Sequence, residues 1–511
     1  MLQAGDAASA LELARRVAAA QPANARARLA MGIALRMLGQ LDEAAAELER
    51  AASLDPRDHA PPYERGVVRQ LQGRDEDALG DFDRSARLRP DFFAAHFSAA
   101  LLRIGRQEWE AAITSFRAAL AIHPSQVDAL LHLAWALHRN ARHDEAEQAY
   151  VRALAANPHH FPTLRAFAGY CAVRGNFTRA AKLFTEAARQ APEDEALPTF
   201  IAQSELLLGN WDAAWAAYRR REPRRQHERA LAARGHTYRV PTLAEAAGRD
   251  VTLVAEQGLG DTLFFLRWAP LLRDAGAHLH FAGHPRLHSL LGRTGLFESF
   301  HAAAGDAAAL LIGDLPPLFP SVDPLEVASL RFAPLPEKVS AWRAALEAAG
   351  PHPWIGVTWR AGTPSHVVAH ALHKAVAHER LMAALAPLGG TVVALQRAIE
   401  PGELEAASRA LGREVHDFSR INDDLEDALA LLTLLDRHVG VSNTNVHLAA
   451  AAGATGDVLV PFPPEWRWRL EGDSPWFPGF RVHRQSLDGD WAEALTAIGG
   501  AGSYAGAKVR Q

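Results

Sequence analysis

At 511 residues, 49% apolar and 22% charged, the chain is too long for one core and has the composition of an ordinary multidomain globular protein. A formal net charge of −5 disfavours a nucleic-acid binder, which would carry a basic excess. The single cysteine, Cys171, excludes an intramolecular disulfide, and no apolar run reaches the length of a membrane span. The expectation is a soluble cytoplasmic protein without a transmembrane segment. The chain opens partway through a repeat, which leaves room for a start further upstream. Lysine occurs only at Lys182, Lys338, Lys374 and Lys508, so each lysine in a motif is informative.

The first 228 residues read as a repeat array. Pro22, Pro56, Pro90, Pro124, Pro158 and Pro192 fall 34 residues apart, as do the alanines from Ala10 to Ala214. Small residues recur at Gly32, Gly66, Ala100, Ala134, Ala168 and Ala202. Bulky ones recur at Leu48, Phe82, Phe116, Tyr150, Phe184 and Tyr218. A 34-residue period of this kind resembles the tetratricopeptide repeat, two antiparallel helices per unit. Small residues let the helices approach, and proline ends the second helix because it lacks an N–H. Gly39, Gly73, Gly175 and Gly209 fall at the turn between the helices. After a leading half-unit, repeats are expected to begin near 25, 59, 93, 127, 161 and 195. Such an array predicts a groove that binds protein. Cys171 falls at an apolar helix position and reads as a structural thiol. Trp109, Trp135, Trp211 and Trp215 read as packing residues.

From residue 229 the rhythm changes to short apolar runs alternating with amphipathic stretches: VTLVAE, TLFFLRWAPLLRDAG, AHLHFAG, PRLHSLLGRTG and AALLIGD. A second series follows EKVSAWRAALEAAG: PWIGVTW, HERLMAALAPLG, GTVVALQR, GELEAASRALG, EVHDFS, LEDALALLTLLD, RHVGVSN, VHLAAAAG and GDVLVPF. Alternation of this kind predicts parallel sheets with crossover helices. The expected domains are a repeat solenoid over 1–228 and two Rossmann-like α/β lobes over 229–350 and 351–511.

The stretch AEQGLGDTLFFLRW (255–268) poses the first chemical question. A strand, a glycine turn and a helix suggest a nucleotide site, but Leu263 stands where a dinucleotide fingerprint needs its third glycine. From the residues alone Asp261 is open to two further readings, an N-cap of a helix starting at Thr262 or a catalytic base. His280, His284 and His288 have i, i+4, i+8 spacing, but Pro285 interrupts any shared helix, and no metal is expected there. His366, His370, His373 and His378 read as solvated or ligand-facing rather than metal-binding. The chain also lacks a DxD-like acidic motif at a strand end.

The blocks AEQGLGDTLFFLRWAPLL, WIGVTWRAG, ALQR, VGVSNTNVHLAAAAG and PFPPEWRWRLEGDSPWFPGFRVHRQSLDGDW span about 250–491. Together with the repeats ahead of them they resemble bacterial tetratricopeptide-repeat glycosyltransferases, and more remotely the lipopolysaccharide heptosyltransferases. The resemblance implies a GT-B fold of two Rossmann-like lobes and sugar transfer from a nucleotide sugar, without a metal or other cofactor. The implied acceptor is a protein recruited by the repeats, such as flagellin or another surface protein. It implies that Asp261 is the general base, on a turn formed by Gly258 and Gly260. It further implies that Gly258, Gly260, Arg360, Lys374, Gln396, Ser442, Asn443, Thr444, Asn445 and His447 bind the donor. The family carries Asp-Thr-Gly or Asp-Thr-Ser before that histidine, where Ser442, Asn443 and Thr444 stand here. The missing acid implies either altered donor choice or a domain that binds without turnover, the second making the chain an interaction scaffold. A glycolipid-directed heptosyltransferase is a further alternative, for which the acidic net charge gives no support. Trp466, Trp468 and Trp476 are expected to pack rather than stack on a base.

Overall fold

The computed structural model describes residues 7–303, 309–361 and 374–500. The chain divides into two compact units, Met1–Phe167 and Ala168–Gln511. The 362–373 part of the histidine-rich stretch, with His366, His370 and His373, lies outside the described residues.

The first unit is helical throughout. A leading helix α1 (Ala7–Ala20) precedes the pairs α2 (Ala25–Met37) and α3 (Leu41–Leu54), and α4 (Ala60–Leu71) and α5 (Asp75–Leu88). The pairs α6 (Phe93–Gly105) and α7 (Trp109–Ile122), and α8 (Val127–Arg139) and α9 (His143–Ala156), follow. The next helix, α10 (Phe161–Val173), crosses the division between the units. Each pair begins where the 34-residue period puts it.

The physical basis is visible at Gly66, where a Cβ would lie 2.7 Å from the Phe82 ring; Gly32 stands in the same relation to Leu48. Small and bulky positions sixteen residues apart are therefore two halves of one contact between the helices of a pair. On the first helices, Leu29 and Ile33, Tyr63 and Val67, Phe97 and Leu101, and Leu131 and Trp135 are half-buried or exposed. Their i, i+4 spacing gives each helix one apolar stripe that the unit covers only in part.

The second unit continues the helical pairs with α11 (Phe177–Gln190), α12 (Leu197–Leu208), α13 (Trp211–Tyr218) and α14 (Glu222–Ala232), then the single turn α15 (Leu243–Ala246). The alternating part starts with β1 (Asp250–Val254), α16 (Leu259–Phe265), α17 (Ala269–Asp274), β2 (His278–Ala282), α18 (His288–Gly292), β3 (Ser299–His301) and β4 (Ala309–Leu311). These strands form a parallel sheet of order β3-β2-β1-β4.

After α19 (Pro336–Ala349) come β5 (Trp354–Thr358), α20 (His378–Leu385), β6 (Thr391–Ala394), α21 (Glu403–Leu411), β7 (Val415–Asp417), α22 (Leu425–Leu434) and β8 (Arg437–Val441). The series closes with α23 (Thr444–Ala451), β9 (Gly456–Val460), β10 (Phe480–Arg484) and α24 (Ala492–Gly500). Its sheet, also parallel throughout, has the order β10-β9-β8-β5-β6-β7. Read from β7 this is 3-2-1-4-5-6, the order of a doubly wound sheet, with the reversal between β5 and β8. Strands β5, β6, β8 and β9 are buried along their whole length, as strands covered on both faces must be.

The stretch TLFFLRWAPLLRDAG, which reads as a single helix, is broken. Helix α16 ends at Phe265, Leu266–Trp268 is a 3-10 turn, and α17 starts with Pro270 in its first turn, where a missing N–H costs least.

One hydrophobic core takes in Phe177, Leu206, Leu207 and Trp215 from the helical pairs together with β1, β2, α16 and α22. A buried ion network reinforces it. The Arg221 guanidinium donates to both oxygens of Glu256, at 2.8 and 2.6 Å, and to Asp314 at 2.7 Å. The Tyr238 hydroxyl donates to Asp314 at 2.7 Å, and the Gly313 N–H to Glu256 at 2.8 Å.

Candidate functional site

Strand β1 lies at the reversal of its sheet, between β2 and β4, so the turn that leaves its carboxyl end opens at a switch point. Gly258 is the N-cap of α16, and Asp261 sits inside the first turn. The N-cap reading of Asp261 is therefore corrected: the helix starts three residues earlier than that reading requires, and no side chain caps it. Instead Asp261 Oδ1 accepts from Arg467 Nη2 at 2.7 Å, with the Asp261 side chain about one third exposed.

Gly260 sets the next contact. A Cβ there would lie 3.1 Å from Cδ2 and 3.3 Å from Nε2 of His447, so glycine lets α16 approach the imidazole on α23. His447 is buried, stands edge-on to Phe477 with ring centroids 5.0 Å apart, and makes no hydrogen bond among the described residues. Its pKa lies well below the usual value. Burial is the main cause, with the charges of Arg467, Arg267 and Lys374 acting in the same direction against Glu465.

Arg467 belongs to the 3-10 turn Trp466–Trp468 that follows β9. Its Nε donates to Glu465, and Glu465 also accepts from Lys374 Nζ at 2.8 Å. The result is a chain Asp261–Arg467–Glu465–Lys374 of alternating sign. Burial opposes ionisation of Glu465, but Arg467 and Lys374 pull its pKa far below the usual carboxylate range. Burial likewise opposes the charge on Arg467, which Glu465 and Asp261 more than offset. Lys374 is fixed by backbone: its carbonyl accepts from Ala361 N at 2.9 Å beside the Arg360–Ala375 bridge. Arg267 is buried and has no carboxylate partner among the described residues. It donates to the carbonyls of Phe264 and Val327 and to Ser329 Oγ, and burial with Arg467 nearby lowers its pKa to about 9.

The structure thus brings Gly258, Gly260, Asp261, Lys374 and His447 into one cluster of contacts. Arg360 is committed elsewhere: its guanidinium is taken by Glu403 and the Ala398 carbonyl. Gln396 ties the ends of β5 and β6, accepting from the Trp359 and Arg360 N–H groups at 3.0 Å each and donating to the Arg397 carbonyl. Ser442 Oγ accepts from Trp468 Nε1 at 2.8 Å. Asn443 caps α23 through Asn445 N at 3.0 Å and donates to Thr358 Oγ1 at 3.1 Å. Thr444 opens that helix, and Asn445 is buried in its first turn.

Sequence reasoning missed Glu465, Arg467 and Arg267. The signal was present in PPEWRW and FFLRW, where charged residues interrupt aromatic runs, but the tryptophans drew the attention. Trp466 and Trp476 pack edge-on to Phe264, and Trp468 stacks on Phe477 at 4.4 Å, so all three are buried packing residues. The histidines at 280, 284 and 288 are separately engaged, with Ser299, the Arg286 N–H and the Gly283 carbonyl.

The repeats are tetratricopeptide repeats: sequences described as Tetratricopeptide repeat match residues 1–63 and 103–168. Among curated proteins the chain is similar to Protein FlbA of Caulobacter vibrioides, 26% identical over 352 residues. That match takes in 60% of this chain, which spans 55% of the relative's length. Among solved structures it is similar to YrrB, a TPR protein with an unusual peptide-binding site (16% identity, 37% of this chain and 97% of that one, TM-score 0.34). It is also similar to MamA from Desulfovibrio magneticus RS-1 (19% identity, 33% and 96%, TM-score 0.32). At these TM-scores the structural likenesses carry no argument. Among the described residues no helix is long and apolar enough to cross a membrane.

Proposed function

We propose that the second unit is a GT-B-type transferase that moves a sugar from a nucleotide sugar to an acceptor recruited by the repeats. The observation that carries this reading is the gathering of Asp261 with Arg467, Lys374 and His447, residues following four different strands, at the switch point of β1. The acceptor hydroxyl gives its proton to the Asp261 carboxylate as its oxygen bonds to the anomeric carbon. The bond from that carbon to the diphosphate oxygen breaks, and the nucleoside diphosphate leaves with the electron pair. Lys374 and Arg467 offset the charge that develops on the leaving group. The neutral imidazole of His447 is available as a hydrogen-bond partner to the same group.

The partly exposed apolar stripes of α2, α4, α6 and α8 support a protein acceptor, since they offer a peptide an apolar surface of several repeats. The nearest other reading is a scaffold that binds without turnover, favoured by the absence of an acid at Ser442–Thr444. Incubation with UDP-, GDP-, ADP- and CMP-sugars and mass spectrometry of co-expressed proteins separates the two. Asp261→Ala should lower transfer at least about 100-fold without weakening donor binding. Full activity in that variant removes Asp261 from catalysis, and no binding of any donor by the native chain leaves the scaffold reading.

A further inference from the structure

Arg467 is nine-tenths buried and has three nitrogens to satisfy. Nε is held by Glu465 and Nη2 by Asp261, but Nη1 is buried with no hydrogen-bond partner among the described residues. An unsatisfied guanidinium nitrogen in a buried site costs free energy and calls for an acceptor. The surroundings have the matching charge. Arg267, Lys374 and Arg467 supply three positive charges against two carboxylates, Asp261 and Glu465, leaving one in excess while His447 is neutral. Arg267 and Arg467 flank the Phe264 ring, with guanidinium carbons 4.0 and 5.1 Å from its centroid, so the cations are held by packing as well as by charge. Asp261 is the weakest-held member, one third exposed and held, among the described residues, by Arg467.

We infer that Arg467 is an anion-binding residue for a pyrophosphate-type ligand and that Asp261 is its resting counter-ion, released from Nη2 when the ligand takes the free edge of the guanidinium. The inference takes its ligand class from the sugar-transfer reading, but binding can be measured without any transfer. Ligand arrival then unmasks the carboxylate: the base is tethered while the site is empty and free once the donor's phosphates are in place. A guanidinium suits the exchange because its planar fork holds two oxyanions side by side, which an ammonium cannot do.

Titration calorimetry of the full chain with inorganic pyrophosphate at fixed ionic strength tests this. Asp261→Asn removes the competing charge and should tighten pyrophosphate about 5- to 10-fold. Arg467→Gln should weaken it at least 10-fold, and Arg467→Lys should fall between native and Gln. An Asp261→Asn chain that binds no tighter than native overturns the inference, as does an Arg467→Gln chain that binds equally well or a native chain that does not bind. If Arg467→Gln fails to fold, the Asp261→Asn result decides, since that side chain is partly exposed and the substitution isosteric. Tightening by Asp261→Asn, together with a native chain that transfers sugar from no donor, would sink the transferase reading and leave the anion site standing.

Discussion

Gln107 and Ala141 hold left-handed backbone, with φ of 60° and 58°, at the turn where the repeats before and after them carry Gly73 and Gly175. The turn geometry is thus kept by the fold even where the residue resists it, at a cost of about 1 kcal/mol per non-glycine residue. Gln107→Gly and Ala141→Gly should each raise the unfolding free energy by roughly 0.5 kcal/mol, the relief of strain exceeding the added entropy of the unfolded chain. Urea melts of the single variants check this, and a loss of stability would count against it. Gly39, Gly73, Gly175 and Gly209 were legible as turn residues because glycine alone takes this conformation without penalty. The two exceptions could be placed only by counting the period. Asp261 was legible as the notable residue of its turn, but not its partner: Arg467 lies 206 positions away, and nothing local to either residue encodes the pairing.

Among elements, the hairpin of α13 and α14 has the most consequential attachment. Arg221, between the two helices, holds Glu256 at the end of β1 and Asp314 after β4, and Gln257 Nε2 donates to the Tyr218 hydroxyl at 2.9 Å. Glu256 is the acidic residue that opens EQGLGD, so the repeat-like hairpin fixes the start of the turn that carries Asp261. Arg221→Ala would strip buried Glu256 of its guanidinium and leave Asp314 with Arg224 alone, 3.3 Å away, and should cost about 3–5 kcal/mol by denaturant unfolding. Arg221→Lys should cost less, because it keeps the charge but cannot bridge both acids. A change under about 1 kcal/mol for the alanine variant would show the network to be dispensable. The strands of the alternating part were legible because continuous apolar runs bounded by turn residues allow little else. The short strands β3 and β10 were not, since SFH and FRVHR are stabilised by pairing with a neighbour rather than by their own pattern.

At the scale of the whole molecule, the repeat period and the compact units do not coincide. The period continues past residue 200, whereas the compact division falls at 167/168 within α10, and the core beyond it includes Phe177, Leu206, Leu207 and Trp215. Truncations separate the two. A chain starting at residue 161 should unfold cooperatively in calorimetry. One starting at residue 229 loses those four apolar side chains, worth roughly 6–12 kcal/mol at about 1.5–3 kcal/mol each, as well as Arg221. That loss rivals the entire stability of an ordinary domain, about 5–15 kcal/mol, so the shorter chain should show no cooperative transition. A well-behaved melt from it would contradict this account of the core.

The amino-acid sequence by itself determined the repeats, their register, the alternation of strand and helix, and the candidacy of Asp261, Lys374 and His447. The repeats, the alternation and the notice of Asp261 rest on local periodicity and a glycine turn, which act over a few residues, whereas Lys374 and His447 rest on the family resemblance. The tertiary structure decided the rest: the doubly wound order of the second sheet, the inward commitment of Arg360 and Gln396, and the chain of charges from Asp261 through Arg467 and Glu465 to Lys374. Those features depend on which side chains meet after burial, where the cost of an unpaired charge selects partners that sequence distance does not reveal.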